Sequence, residues 1–212
     1  MTIKAILFDL DGTLIDSNQL IIESFRHTLE QFTEKNYTDE ELQTFIGPPL
    51  QDSLEKIRPD QVDEMMQTYR KHNLENHDHF VKAFDGVFET IQDLHQKGIP
   101  MAIVTTKRRN TAIRGLELTN LNQFFDVVIG LDDVTHAKPD PEPIEKGLEA
   151  LGVSKEGTIM IGDNSHDIDA GKNAGTLTAG VEWSAKGADF MKSLQPDYLL
   201  KHITDLIDLV EE

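Results

Sequence analysis

A chain of 212 residues with 38 Asp plus Glu against 20 Lys plus Arg carries a formal charge of -18, and its length and 38% hydrophobic content allow a full core. That acidity argues against nucleic-acid binding, which needs a basic face, and obliges any anion site to bring its own local positive charge. With no cysteine, no apolar run near membrane-spanning length and no signal-peptide profile, thiol chemistry, disulfides and cysteine-held zinc are excluded, and a cytoplasmic enzyme is expected.

The first predicted strand, Ala5–Phe8, runs straight into Asp9-Leu10-Asp11-Gly12-Thr13. Extended backbone puts the side chains of Asp9 and Asp11 on the same side. Two like charges so close need either a proton or a divalent cation between them. Both solutions suit phosphoryl chemistry, which combines a nucleophilic carboxylate, an acid/base neighbour and magnesium.

Residues 16–82 show no convincing strand. Leu20, Ile21, Phe25, Leu29 and Phe32 recur at helical spacing, as do Val62, Met65, Met66 and Tyr69. Thr38-Asp39-Glu40-Glu41 reads as a capping box that opens a helix toward Gly47. An all-helical block after the first strand reads as a lid that returns to the sheet near Asp85, with Gly47-Pro48-Pro49-Leu50 as a stiff loop facing the site. The alternatives are helices packed on the sheet within one domain, and an ordinary helix connector at Gly47. His72, His77 and His79 lack zinc-site spacing and read as solvent-facing.

Beyond Asp85, short apolar strands alternate with helices: Met101–Val104, Val127–Ile129, Thr158–Ile161 and Thr178–Val181. This pattern means a parallel sheet covered on both faces. One helix starts at Asp85-Gly86-Val87, buries Val87, Ile91 and Leu94, and stops at Gly98; another is capped by Asp140 with Pro141 first in the helix, and ends before Gly152.

The strand ends share one sheet edge, where ligands bind in open α/β folds. Thr105-Thr106-Lys107 follows one of them and offers hydroxyls to a phosphate oxygen. Lys138, before the rigid Pro139 turn, can neutralise a carboxylate and a phosphoryl group; surface exposure is its ordinary alternative. Gly162-Asp163-Asn164-Ser165-His166-Asp167 adds carboxylates for a hard cation, with helix capping as the competing role for Asp167. Gly171 and Gly175 suit helix packing and termination. Asp132-Asp133 reads as a solvated turn and cap, and Leu206 to Val210 as a terminal helix face.

In this order, Asp9-Leu10-Asp11-Gly12-Thr13-Leu14, Thr105, Lys138 and Gly162-Asp163 through Asp167 resemble the four motifs of the haloacid dehalogenase superfamily. The resemblance covers essentially the whole chain. It implies an α/β fold with a Rossmann-like parallel sheet, a core of residues 1–15 plus 83–212, and an inserted all-helical cap of residues 16–82. It also implies Asp9 as nucleophile, Asp11 as alternating acid and base, and Thr105 and Lys138 on phosphate oxygens with the amides of Leu10 and Thr106. Mg2+ would be held by Asp9, the Asp11 carbonyl and Asp163, with Asp167 touching it directly or through water.

Gly47-Pro48-Pro49-Leu50, Leu131-Asp132-Asp133-Val134 and the Ala137–Pro143 segment look closest to a branch that hydrolyses inorganic pyrophosphate. Lys107 and Arg108 are then candidates for the second phosphate, and Gly47 and Pro48 for substrate contact. Arg109 is as well explained as a helix start, and Lys186 is a weaker candidate. Relatives often carry a glycine where Ser184 follows Trp183, so that loop is the one departure. The alternatives are a phosphatase for phosphoglycolate or another small phosphomonoester and, from a different class, a phospho-accepting signalling or binding domain. The filled catalytic positions count against that second class.

Overall fold

The computed structural model describes residues 2–211. The chain enters through β1 (Ala5–Phe8), then β2 (Ile15–Asp16), and passes into four helices: α1 (Asn18–Phe32), α2 (Asp39–Gln43), α3 (Leu50–Glu55) and α4 (Val62–Phe80). It returns through β3 (Lys82–Ala83), α5 (Val87–Gln96), β4 (Met101–Val104), α6 (Arg109–Leu118), β5 (Val127–Ile129) and α7 (Glu142–Leu151). The last elements are β6 (Thr158–Gly162), α8 (Ser165–Ala174), β7 (Leu177–Val181), α9 (Ala188–Ser193), β8 (Tyr198–Leu200) and α10 (Asp205–Glu211).

Six strands form one sheet in the order β5-β4-β1-β6-β7-β8, and every neighbouring pair is parallel. The alternation of side chains along each strand explains why its run is apolar throughout. Ile6 and Phe8 join Val87, Ile91 and Leu94 of α5 and Leu116 of α6 on one face. Leu7 joins Ile144 and Leu148 of α7 and Ala170 of α8 on the other. Each large side chain buried in this way contributes about 1.5–3 kcal/mol.

The four helices between β2 and β3 hold a third apolar cluster built on Phe25, Leu29, Leu42, Ile46, Leu54 and Met65. Leu20 departs from this set and packs with the sheet. The capping box forms as read: Thr38 N donates to Glu41 Oε2 at 3.0 Å, and Glu41 N to Thr38 Oγ1 at 3.3 Å.

The structure differs from the reading in four places. β2 and β3 pair antiparallel at the junctions of the helical block, and two-residue strands are too short to leave a pattern. β8 forms the sheet edge from Tyr198-Leu199-Leu200, where three residues mimic the start of a helix face. Pro141 caps α7 from outside rather than opening it, while Asp140 Oδ1 accepts from Glu142 N at 2.9 Å.

His77 is the fourth. It is fully buried because the inward stripe of α4 continues at four-residue spacing through Tyr69 and Asn73. Its Nδ1 lies 2.9 Å from Asp78 Oδ1, and Asp78 is gripped by Arg114 at 2.9 and 3.0 Å.

Candidate active site

Parallel strands deliver their C-terminal ends to one edge, and there β1, β4, β6, the first turn of α8 and the loop after β5 bring five distant residues together. Lys138 Nζ donates to Asp9 Oδ1 at 2.9 Å, to Asp167 Oδ1 at 2.5 Å and to the Val104 carbonyl at 2.8 Å. Asp163 joins them: ligand atoms of Asp9, Asp163 and Asp167 all lie within 4.8 Å of one another. These four side chains and Thr105 are buried.

Burial and sparse compensation dominate the electrostatics. Burial pushes the Asp9 carboxyl up to about 7; Lys138 opposes this and the charge of Asp167 reinforces it. Burial, then Asp167 and Asp9, push Asp163 well above the ordinary carboxylate range. For Lys138, burial disfavours the charge, but Asp167 and Asp9 more than offset it and hold the ammonium above its usual range.

Three buried carboxylates thus share one ammonium, and among the described residues no side chain donates to the Asp163 carboxylate. This all-oxygen, under-neutralised donor set fits a hard divalent cation such as magnesium. Local backbone makes the crowding feasible. A Cβ on Gly162 would sit 2.2 Å from Asp167 Cβ, so only glycine lets Asp167 turn back over the strand end. Asp167 Oδ2 also accepts from Asn164 N at 3.1 Å, so its helix-capping role is real and coexists with its place in the cluster.

Above this floor lies a cavity of about 460 Å³. Asp9, Asp11, Thr106, Lys107 and Arg108 line its lower side, and Gly47, Pro48 and Arg70 its upper side, with Ile21, Phe25, Leu50 and Leu74 as an apolar wall. Asp11 stands apart from the carboxylate cluster: its Oδ1 accepts from Lys107 Nζ at 2.6 Å and from the Ser17 hydroxyl. The amides of Leu10 and Thr106 donate to no backbone carbonyl among the described residues. Thr105 Oγ1 accepts from Lys107 N at 3.1 Å, which leaves its own proton for a ligand.

The loop after α2 is docked on the core. Asn164 Nδ2 donates to the Ile46 carbonyl at 2.9 Å, and Thr106 Oγ1 to the Gly47 carbonyl at 3.1 Å. Gly47 has φ +107, and a Cβ there would lie 2.0 Å from Asn164 Nδ2.

Several weaker candidates find structural roles. Arg109 N donates to Asp132 Oδ1 at 2.7 Å and its guanidinium to the Val128 carbonyl at 2.7 Å, so Arg109 anchors the start of α6. Lys186 Nζ reaches Asn164 Oδ1 at 3.2 Å. Ser184 Oγ donates to the Asp163 carbonyl at 2.7 Å, and Trp183 Nε1 to the Thr13 carbonyl at 3.2 Å, so the departing serine ties its loop to the site. Sequence reasoning missed Ser17, Asn164 and Arg70. Asn164 carried a usable signal, since it directly follows Asp163 and precedes a helix.

The family model described as haloacid dehalogenase-like hydrolase matches residues 6–181. Pyrophosphatase PpaX of Halalkalibacterium halodurans is 52% identical over 99% of this chain and 98% of its own length. The protein of the same name from Anoxybacillus flavithermus is 54% identical, with the same coverage of both chains. Among solved structures, a haloacid dehalogenase-like family hydrolase of Streptococcus pneumoniae superposes with a TM-score of 0.87 at 27% identity, covering 97% of each chain. A family model spanning residues 6–181, with relatives 52% and 54% identical along 99% of the chain, places this protein in the haloacid dehalogenase-like hydrolase family.

Proposed function

We propose that this chain hydrolyses inorganic pyrophosphate to phosphate in the cytoplasm through an aspartyl-phosphate on Asp9. The observation that carries the reading is the buried Asp9 carboxylate, 2.9 Å from Lys138 Nζ, beneath a cavity whose walls bring Lys107 and Arg108. Relatives at 52% and 54% identity that bear the name pyrophosphatase support the choice of substrate. Residues 1–15 with 83–212 act as the catalytic core, and residues 16–82 as a cap whose Gly47-Pro48 loop shuts water out.

Asp9 attacks one phosphorus, and its oxygens are met by Lys138, the Thr105 hydroxyl and the amides of Leu10 and Thr106. The bond to the bridging oxygen breaks and the other phosphate leaves, its charge met by Lys107 and Arg108. Asp11 protonates that oxygen, then takes a proton from the water that attacks the aspartyl-phosphate, so both carboxylates return to their starting state. Asp9, Asp163 and the Asp11 carbonyl, with Asp167 beside them, would hold magnesium, which neutralises phosphoryl oxygens when bound.

A second reading, a phosphatase for small organic phosphomonoesters, is favoured by the apolar wall of Ile21, Phe25, Leu50 and Leu74. Phosphate release measured side by side on pyrophosphate, phosphoglycolate and sugar phosphates separates the two. Pyrophosphate is expected to have the highest kcat/KM. A wide preference for phosphoglycolate would leave the phosphohydrolase chemistry standing and remove the pyrophosphatase reading.

A further inference from the structure

We infer that Arg70, on the cap side of the cavity, is a specificity-determining residue that binds the non-transferred phosphate and selects substrates with a second anionic group. The inference rests on the pyrophosphate reading and adds to it a cation from outside the strand-end motifs.

Of the six arginines in the sequence, five lie against a carboxylate: Arg26, Arg58, Arg108, Arg109 and Arg114. Arg70 forms no ion pair among the described residues, and the contact its guanidinium makes is with Met66 Sδ at 3.6 Å, a weak acceptor one helical turn away. In a chain of net charge -18, an arginine without a carboxylate needs an explanation, and its position supplies one. Arg70 lines the cavity that also holds Asp9, Lys107 and Arg108.

The charges already in that cavity are largely committed. Lys138 lies under the floor between Asp9 and Asp167. Lys107 is paired with Asp11 at 2.6 Å. Arg108 retains a long contact to Asp132, 3.6 Å away. A pyrophosphate whose first phosphorus sits at Asp9 carries its second phosphate away from the floor, into the space between Arg108 on the core and Arg70 on α4. A planar guanidinium grips phosphate oxygens in a two-pronged fashion that a lysine cannot reproduce. Binding there would also draw the cap onto the core, because the phosphate bridges both.

The test uses the full-length protein with magnesium and two non-hydrolysable probes: methylenediphosphonate, with two anionic groups, and methylphosphonate, with one. Arg70→Gln is expected to lower kcat/KM for pyrophosphate about tenfold, the lower end for a hydrogen bond to a charged group because the side chain is exposed. It should weaken methylenediphosphonate binding by a similar factor, leave methylphosphonate binding unchanged, and leave Tm unchanged since no ion pair is lost. Equal weakening of both probes, or of neither, overturns the assignment. If the wild-type protein turns over no pyrophosphate while Arg70→Gln still discriminates the probes, the pyrophosphatase reading fails and the role of Arg70 stands.

Discussion

The floor of the site and the cavity above it are built on opposite principles. The floor is over-determined: Lys138 makes three contacts within 3 Å, two of them to strand ends at Asp9 and Val104 and one to the buried Asp167 in the first turn of α8. The cavity is sparse: Arg108 and Arg70 are exposed, and its walls come from both sides of the molecule. Phosphoryl transfer needs charges fixed before the reaction begins, so the floor tolerates no slack. Selecting a substrate needs groups that can release a product, and loosely held cations provide that.

The contrast is broken most severely at Asp9, the proposed nucleophile. Asp9→Asn should lower turnover by about 10⁴-fold or more, by analogy with removal of other covalent nucleophiles, while Tm holds or rises because one of three crowded carboxylates is gone. Phosphate release and thermal unfolding of the same preparation, with deamidation excluded by mass, check both parts. Lys138→Met attacks the same floor from its cation. It leaves Asp9 and Asp167 buried without their counter-charge, and breaking such a pair from one side costs about 3–5 kcal/mol. Urea unfolding should register that loss together with loss of activity; unchanged stability would mean that the carboxylates do not depend on this lysine.

How much of this was legible follows the same division. Asp9, Asp163 and Lys138 could be read because a strand end fixes where the next residues point, and parallel strands place their ends on one edge whatever lies between them. All five predicted strands form, with β6 and β7 each one residue longer. Arg70 was illegible for the opposite reason. Its neighbour Tyr69 belongs to the apolar stripe of α4, and one residue further round a helix reads as solvent. His77 was misread by the same geometry, since a histidine on the inward stripe looks like any polar helix residue until the packing partner, α6, is known. Ser17 touches Asp11 from the turn before α1, a contact that no periodicity encodes.

Metal binding sharpens the comparison at intermediate cost. The Asp9 carboxyl is raised to about 7 from 3.8, so between about pH 4 and 7 the folded protein keeps a proton that the unfolded chain has released. That contribution is complete below the unfolded value and is lost as pH climbs through the folded one. Without magnesium, Tm should therefore fall across this window. Magnesium held by the same oxygens would compete with the proton, so its stabilisation should grow with pH up to about 7.5 and then level off. At a hundredfold excess over Kd the gain is about 2.7 kcal/mol. Equal magnesium-induced shifts at pH 5 and pH 8 would detach the metal from these carboxylates.

The smallest expected effect lies where the two regions touch. Gly47 sits at φ +107, and a methyl group there would overlap Asn164 Nδ2 at 2.0 Å. Gly47→Ala must therefore displace either the loop or the Asn164 amide, which loses or lengthens the Asn164 contact to the Ile46 carbonyl; the second contact across this seam is Thr106 to the Gly47 carbonyl. The catalytic floor is untouched, so the chemistry of a captured substrate should persist while its capture suffers. KM for pyrophosphate should rise about tenfold, the equivalent of one lost hydrogen bond to a neutral group, with kcat changed far less. Thr106→Val removes the second contact and keeps the Thr106 amide proposed to meet the phosphate. If the loop acts through closure, the two substitutions report on one event and their effects combine to less than the product of the singles. Full multiplicativity would mean that the loop contacts the core without governing access to it.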